Sequence, residues 1–235
     1  MNFEKKQSRK EKRASKFATP EPQSYGAKKV KPITALNKIQ QQYLNTIRAN
    51  VITFAIGSPG TGKTYIAASY AAQMLEEGNI DTIVMTIPNV EAGRGFGFLK
   101  GELEEKFAPY IEPLLDVLNE RLGKSHTEYL VKRGAIQFKP LEFLRGKTFS
   151  NCLYILDEAQ NTTPSQMKLF LSRIGEDTKV IIDGDIEQKD INGICGLEDA
   201  VNRLRNIDNI GIVEFTIDDV VRSGICKEIL LAYRN

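Results

Sequence analysis

The sequence predicts an α/β fold in which a mostly parallel sheet is covered by helices on both faces. Short apolar segments typical of strands alternate with longer helical segments along the chain. Several strand segments are apolar throughout, as expected for parallel strands that are buried on both faces. A glycine-rich loop follows the first strand segment and precedes a helix, which is where open α/β sheets bind their ligands.

The predicted strands are short apolar runs, and the predicted helices are longer segments that mix apolar and polar residues. The strands are predicted at Val51–Ile56, Thr82–Ile87, Ala135–Phe138, Cys152–Leu156, Lys179–Ile182 and Ile210–Phe215. The helices are predicted at Thr34–Ala49, Lys63–Glu77, Glu102–Leu122, Pro164–Ile174, Leu197–Asn206 and Gly224–Ala232. Gly78 and Gly175 directly follow two of these helices, as expected for glycine at a helix C-terminus. With no internal repeat, the pattern indicates one α/β core.

Composition argues against several classes of protein. With 41% apolar and 26% charged residues, the 235-residue chain has the balance of a soluble globular domain. The three cysteines are far apart and His126 is the only histidine, which argues against a disulfide framework, a zinc site and a histidine-based triad. No apolar run approaches the roughly 20 residues that span a bilayer, and the basic N-terminus lacks the apolar core of a secretory signal. We therefore expect no membrane association and a cytoplasmic location.

Charge divides the chain into two parts. Residues 1–31 carry a net charge of +7, and the remainder carries −5. Pro20 and Pro22 interrupt the basic part, which shows no apolar periodicity, so we expect residues 1–32 to form a disordered tail. Residues 33–235 are expected to form the folded domain. The basic tail is consistent with a nucleic-acid-binding arm and equally with a solubilising terminus.

The loop after the first strand matches the P-loop pattern G-x-x-x-x-G-K-[ST] at every fixed position. Its residues are Gly57, Ser58, Pro59, Gly60, Thr61, Gly62, Lys63 and Thr64. Glycines let the backbone wrap a phosphate chain, and the following helix directs the positive end of its dipole toward the phosphates. Lys63 is expected to reach the terminal phosphates, and the Thr64 hydroxyl to hold Mg²⁺. The loop therefore predicts a P-loop NTPase that binds a nucleoside triphosphate and magnesium.

A second motif, an acidic pair, lies at the end of a later apolar strand. Leu153 to Leu156 are apolar, and Asp157 and Glu158 follow them directly. An Asp-Glu pair at a strand end is often a solvated turn, but a P-loop in the same chain favours a catalytic interpretation. We expect Asp157 to complete the magnesium site with Thr64, and Glu158 to act as the general base for the attacking water.

Three further residues fit a nucleotide site on weaker grounds. Gln188 follows a strand and a Gly-Asp pair, where an amide can sense the γ-phosphate, although Asp-Gly-Asp is also good turn chemistry. Gln40 precedes the first strand and can bond an adenine edge, or it can lie on an exposed helix face. Arg222 follows the last strand and can act as an arginine finger, or it can form a salt bridge at a helix start.

Six sequence runs stand in the same order around the P-loop as they do in one known family. They are Pro88–Gly93, Gly97–Gly101, Phe143–Thr148, Leu156–Asn161, Gly184–Gln188 and Val220–Arg222. Over residues 33–235 the sequence resembles the PhoH family of phosphate-starvation-inducible ATPases, which is similar to the RecA-like core of superfamily 1 helicases. The resemblance implies a single RecA-like domain. It also implies roles in ATP hydrolysis for Lys63, Glu158, Gln188 and Arg222, and an adenine-reading role for Gln40.

The single P-loop suggests that the site is completed by a second subunit. Helicases of superfamily 1 bind nucleotide between two such cores, so we predict a homo-oligomeric ring, by analogy a hexamer, with Arg222 acting on a neighbouring subunit. Nucleic acid, either RNA or single-stranded DNA, is the predicted partner. Its expected contacts are Arg94, Phe96, Phe98, Lys100 and the basic tail, although the two aromatic rings can instead anchor their loop in the core.

The sequence thus predicts a magnesium-dependent ATPase that acts on RNA or single-stranded nucleic acid in the manner of a helicase. Two alternatives stay open. One is a ring ATPase that remodels proteins, and the other is a nucleotide-binding switch that does not act on nucleic acid. The Asp157-Glu158 pair argues against a small P-loop kinase, in which a substrate stands opposite the γ-phosphate in place of an activated water.

Overall fold

The computed structural model describes residues 31–88, 100–222 and 224–232, and for residues 100–107 and 230 it describes the backbone alone. The predicted basic tail therefore lies outside the described residues, apart from its last two positions. So do the predicted nucleic-acid contacts Arg94, Phe96 and Phe98, and only the backbone of Lys100 is described, as the first residue of a helix.

The described residues form a regular alternation of strands and helices. The strands are β1 (Ile52–Gly57), β2 (Thr82–Ile87), β3 (Ile136–Pro140), β4 (Cys152–Leu156), β5 (Lys179–Gly184) and β6 (Ile210–Phe215). The helices are α1 (Lys38–Ala49), α2 (Lys63–Glu76), α3 (Lys100–Leu122), α4 (Lys124–Arg133), α5 (Pro164–Leu171), α6 (Gly196–Leu204) and α7 (Gly224–Ala232). Short 3₁₀ turns follow strands β3, β4, β5 and β6, at Leu141–Leu144, Ala159–Asn161, Ile186–Gln188 and Ile217–Asp219 respectively.

All six predicted strands are confirmed, whereas α4 was not predicted. This ten-residue helix lies between Gly123 and Gly134, both with positive φ, and buries only Thr127 and Leu130. Such a weak apolar pattern between two glycines resembles a loop in sequence, so tertiary packing decides its conformation.

The sheet is parallel throughout, with the strand order β3-β2-β4-β5-β1-β6. Strand β5 lies between the P-loop strand β1 and strand β4, which ends next to Asp157. In this register Ala55 is opposite Asp183, and Leu156 is opposite Ile182. The carboxyl ends of β1, β5 and β4 therefore lie side by side along the C-terminal edge of the sheet, where such folds bind ligands.

Helices cover both faces of the sheet, as the sequence predicts. One core includes buried residues of α1 to α4, such as Tyr43, Ile66 and Leu118. The other core lies on the opposite face and includes Phe170 of α5 and Leu197 of α6. Within the described ranges, no helix has the length and apolar character needed to cross a membrane.

Candidate functional site

The P-loop is held between the ends of β1 and β6 by backbone contacts. Gly57 has a φ of +123°, and a Cβ added to it would lie 1.8 Å from the carbonyl oxygen of Phe215. The Ser58 N–H donates to the same oxygen at 3.4 Å. Gly60 and Gly62 also have positive φ. Only glycine fits the first of these positions, because both the conformation and the space exclude a side chain.

Lys63 begins α2, and its side chain turns into the loop. Its ammonium donates to the carbonyl oxygens of Gly57 at 2.6 Å and Ser58 at 2.9 Å, and the residue is only 9% exposed. Burial lowers the pKa of Lys63, while nearby carboxylates, Asp183 foremost, act to raise it. The predicted phosphate-binding cation therefore lies inside the loop.

Thr64, on α2, and Asp157, directly after β4, approach each other. The Thr64 hydroxyl donates to Asp157 Oδ1 at 3.3 Å, and the Glu158 N–H donates to the same oxygen at 2.9 Å. Burial, and then the charge of Glu158, raise the pKa of Asp157 to about 6. The structure therefore brings together the two residues that the sequence predicts for magnesium, although they are 93 positions apart.

These two side chains fit a magnesium ion that is shared with a ligand. Hydroxyl and carboxylate oxygens suit a hard cation, and Mg²⁺ is commonly held by one or two protein groups together with substrate phosphates. Consistent with this, no cluster of three or more His, Cys, Asp or Glu side chains within the described ranges could enclose a metal by itself.

Glu158 is exposed and directly follows the buried Asp157, with a left-handed φ of 53°. Its Oε2 accepts a bond of 2.6 Å from Gln160 Nε2, and Gln160 Oε1 accepts a bond of 3.1 Å from the Asp185 N–H. Gln160 is 2% exposed. A Cβ on Gly184 would lie 2.7 Å from Gln160 Oε1, so this glycine leaves room for the amide. Gln160 thus connects the end of β4, with Glu158, to the end of β5.

Asp183 is a site residue that the sequence analysis missed. It is fully buried on β5, and its Oδ1 accepts a bond of 2.6 Å from the Tyr43 hydroxyl. Its Oδ2 has no hydrogen-bond partner among the described residues. Burial and the charge of Asp157 raise the pKa of Asp183 to about 8. A charged residue at the end of an apolar strand is the sequence signal that was available for it.

Gln40 lies beside the P-loop, but its amide contacts the protein backbone. Its Nε2 donates to the Thr61 carbonyl at 2.8 Å, its Oε1 accepts from the Leu36 N–H at 2.8 Å, and it is 3% exposed. A Cβ on Gly62 would lie 2.7 Å from Gln40 Nε2. These contacts brace the P-loop. The adenine-reading role stays a prediction, and the alternative, an exposed helix face, is wrong because the side chain is buried.

Arg222 is exposed and extends over the P-loop of its own chain. A Cβ on Gly60 would lie 3.0 Å from Arg222 Cδ, and the N–H of the preceding Val221 donates to the Gly60 carbonyl at 3.0 Å. The chain after β6 therefore turns back across the loop, and Arg222 lies beside the P-loop of its own chain. The action of Arg222 on a neighbouring subunit stays a prediction.

Gln188 ends the 3₁₀ turn that follows β5, and it is exposed. Its N–H donates to the Asp185 carbonyl at 2.9 Å. Since β5 separates β1 from β4, this turn leaves the sheet at the edge that carries the P-loop and Asp157. The structure therefore brings Gln188 to the same edge as the other predicted residues.

A cleft of about 400 Å³ lies beside the loop, between the end of β6 and α6. Its lining includes four acidic residues, which are Asp185, Glu187, Glu198 and Glu214, and one basic residue, Arg205. Lys63, Thr64 and Asp157 are not among its lining residues. An acidic cleft is unsuited to a triphosphate, so we place the candidate site at Lys63 and Asp157.

Comparison with known proteins identifies the family. The family model described as PhoH-like protein matches residues 32–234. The chain belongs to the PhoH family. Protein PhoH of Escherichia coli is 45% identical over 206 residues, covering 86% of this chain and 58% of that protein. A PhoH-like protein of Bacillus subtilis is 46% identical over 196 residues, covering 83% and 61%. This PhoH-family chain spans about three fifths of the length of these relatives.

A solved structure supports the fold assignment. The ATPase domain of a large terminase from a Thermus phage superposes with a TM-score of 0.51 at 14% sequence identity, covering 87% of this chain and 88% of that one. At this identity the likeness establishes the fold alone. The PhoH-family chain therefore has the fold of a P-loop ATPase domain, as the sequence predicts.

Proposed function

We propose that this PhoH-family chain binds ATP with magnesium and hydrolyses it. The observation that carries the proposal is the meeting of Lys63, the Thr64–Asp157 pair and Glu158 at one edge of the sheet. Lys63 and Thr64 begin α2, whereas Asp157 and Glu158 follow β4, and the first and last are 95 residues apart in sequence. A solvated turn would not require this convergence, whereas hydrolysis of a nucleoside triphosphate does.

The loop and Lys63 would hold the phosphates. Backbone N–H groups of the glycine-rich loop and the N-terminus of α2 suit an anion. Lys63 has backbone carbonyls as its hydrogen-bond partners and no carboxylate within ion-pair distance among the described residues. Exchanging those neutral acceptors for charged phosphate oxygens gives stronger, charge-assisted hydrogen bonds.

Thr64 and Asp157 would hold the magnesium ion. When bound there, the ion would withdraw charge from the phosphate oxygens that it shares with the protein. Its own charge would also offset the burial and the neighbouring Glu158 charge, which together raise the pKa of Asp157. Nucleotide binding and metal binding are therefore expected to depend on each other.

Glu158 would take the proton of the attacking water. It is the exposed acid next to the buried Asp157, and the bond from Gln160 fixes the direction of its carboxylate. Gln188 would position the water or sense the γ-phosphate from the neighbouring turn. Arg222, which lies over the loop of its own chain, would neutralise phosphate charge either there or, in the proposed ring, at the site of a neighbouring subunit.

We further propose that hydrolysis is coupled to single-stranded RNA or DNA, and that the chain assembles as a homo-oligomer, with a hexameric ring as the favoured form. The fold supports the first point, because it is the fold of an ATPase domain from a phage terminase. A ring is supported by the presence of one P-loop in the chain, because superfamily 1 helicases bind nucleotide between two such cores. Stimulation of turnover by protein alone would instead favour a protein-remodelling ATPase, and binding without turnover would favour a switch.

A phosphate-release assay tests the proposal. We expect release of inorganic phosphate from ATP in the presence of magnesium, loss of release when a chelator removes the metal, and faster release when a single-stranded oligonucleotide is added. Light scattering with ATP and magnesium tests the assembly, and a monomer alone would contradict the ring. Binding of ATP with no phosphate release under any of these conditions would overturn the assignment as a hydrolase.

A further inference from the structure

An exposed aromatic ring lies on the connection between β3 and β4. Phe143 is 55% exposed on the 3₁₀ turn Leu141–Leu144. Leu141 and Leu144, which begin and end this turn, are fully buried in the core on the α5 and α6 face of the sheet. The two leucines anchor the turn, so packing holds the backbone that carries Phe143. Its exposed ring is therefore presented to solvent from a fixed turn.

Cations surround the same turn. Arg145 and Lys147 are exposed in the tight turn that follows, which Gly146 makes possible with a φ of +74°. Lys139, on β3, places its ammonium 5.0 Å from the centroid of the Phe149 ring.

These cations are not neutralised by the protein around them. Among the described residues, none of Lys139, Arg145 and Lys147 has a carboxylate within 4.0 Å. Burial, and then the positive charge of Lys147, lower the pKa of Lys139, which shows that like charges lie close together here. The adjacent Glu142 is exposed, and its carboxylate accepts a bond from Gln166 at 3.4 Å.

We propose that Lys139, Phe143, Arg145 and Lys147 form a surface that binds single-stranded nucleic acid, with a base stacked on Phe143 and phosphates bound by the three cations. An exposed ring offers its face to an unpaired base, whereas the bases of a duplex are stacked on one another. Phosphates satisfy cations that have no carboxylate partner. The proposal deepens the proposed function, since it names where the nucleic acid would bind.

The location of this surface allows ATP and a single strand of nucleic acid to bind at the same time. Strand β3 is at one edge of the sheet, and β2, β4 and β5 separate it from the P-loop strand β1. The surface is also separate in sequence from the segment predicted to contact nucleic acid, which contains Arg94, Phe96 and Phe98 and lies outside the described residues.

Fluorescence anisotropy with a labelled single strand of about 12 nucleotides tests the surface, because binding sites for single strands are of this size. We expect Phe143→Ala to weaken binding by about tenfold and Phe143→Tyr to restore it, since tyrosine keeps a ring for stacking. We expect the double variant Arg145→Ala/Lys147→Ala to lower the slope of log affinity against log salt by about 1.4, which corresponds to two phosphate contacts.

The matched control is Lys132→Ala/Arg133→Ala. These two cations are exposed at the end of α4, so the control removes the same charge from another part of the surface. It should leave the affinity within about twofold and the salt slope unchanged, and circular dichroism should show that all variants are folded. Equal losses in the control and the test variants would overturn the proposal, because they would indicate a response to net charge alone.

Two other results would also overturn it. One is tighter binding of duplex than of single strand, and the other is wild-type affinity in Phe143→Ala. Competition by a polyglutamate peptide as strong as that by the unlabelled oligonucleotide would favour an acidic protein partner instead. The assay contains no ATP, so its failure would leave the hydrolysis proposal intact, and a failure of hydrolysis would leave the binding result intact.

Discussion

The two sides of the candidate site are organised by different physical effects. On the P-loop side, the backbone sets the geometry. The Phe215 carbonyl leaves no room for a side chain at Gly57, and neutral carbonyls accept hydrogen bonds from Lys63. On the carboxylate side, buried charge sets the geometry, since Asp157 and Asp183 are both buried and both have raised pKa values. The geometry of the P-loop side thus depends on steric fit, whereas that of the carboxylate side depends on which buried charges are compensated.

Lys63→Ala is expected to have the largest effect, because Lys63 belongs to both sides. It removes a cation whose charge interacts with Asp183, Asp185, Asp157 and Glu158. We expect phosphate release to fall by about 100-fold or more, as for loss of a preorganised donor, and ATP affinity to fall by about tenfold or more. Calorimetric titration and phosphate release measure the two effects. Wild-type turnover in this variant would mean that the loop does not hold the phosphates.

Gly57→Ala tests the claim that shape governs the loop side. The added methyl group would meet the Phe215 carbonyl, in a conformation that alanine disfavours. We expect the free energy of unfolding to fall by about 3 kcal/mol or more, from strain and displaced backbone. Urea unfolding measures it.

Gly134→Ala is the matched control for that substitution. Gly134 also has a positive φ, of +81°, but nothing lies within 4 Å of an added Cβ. We expect a loss of about 1 kcal/mol, from the backbone conformation alone. Equal losses at the two positions would show that the Phe215 contact does not shape the loop.

Asp183→Asn tests the claim that buried charge governs the other side. Its pKa in the folded chain, about 8, lies above the ordinary value of 3.8 for an aspartate, so the folded chain retains a proton that the unfolded chain releases. The stability from this group is full below about pH 4 and is lost as the pH rises through about 8, by roughly 1.4 kcal/mol per pH unit. Urea unfolding from about pH 5 to about pH 9 should therefore show a steeper loss for the wild type than for the variant. Asp208→Asn, at an exposed position, should follow the wild type, and parallel curves for all three would contradict the account.

Gln40→Ala is expected to have the smallest effect. Loss of its bond to the Thr61 carbonyl should loosen the loop and lower ATP affinity by about fivefold, close to the net value of one hydrogen bond. Because the amide braces the backbone, affinity for GTP should fall by the same factor. A loss confined to ATP would instead support the predicted adenine-reading role. Gln41→Ala, whose amide bonds to Asn45 on the exposed face, should leave both affinities unchanged.

The same comparison explains what could be predicted from the sequence. The loop side follows from a local pattern, because glycines, Lys63 and Thr64 are adjacent in the chain. The strands were predictable as well, since parallel strands are buried on both faces and are apolar throughout. The contacts of Asp183 with Tyr43 and of Glu158 with Gln160 depend on how β4, β5 and α1 pack together. The position of Arg222 depends on the path of the chain after β6, which no local pattern specifies.

The most direct test of the central claim is Glu158→Gln, which should separate nucleotide binding from hydrolysis. Glutamine keeps an oxygen that can accept the bond from Gln160 but cannot take a proton from water. Calorimetric titration with ATP and magnesium should give an affinity within about threefold of the wild type, and phosphate release should fall by about 100-fold or more. A Glu158→Gln variant that releases phosphate at the wild-type rate, or that loses binding together with turnover, would contradict the account.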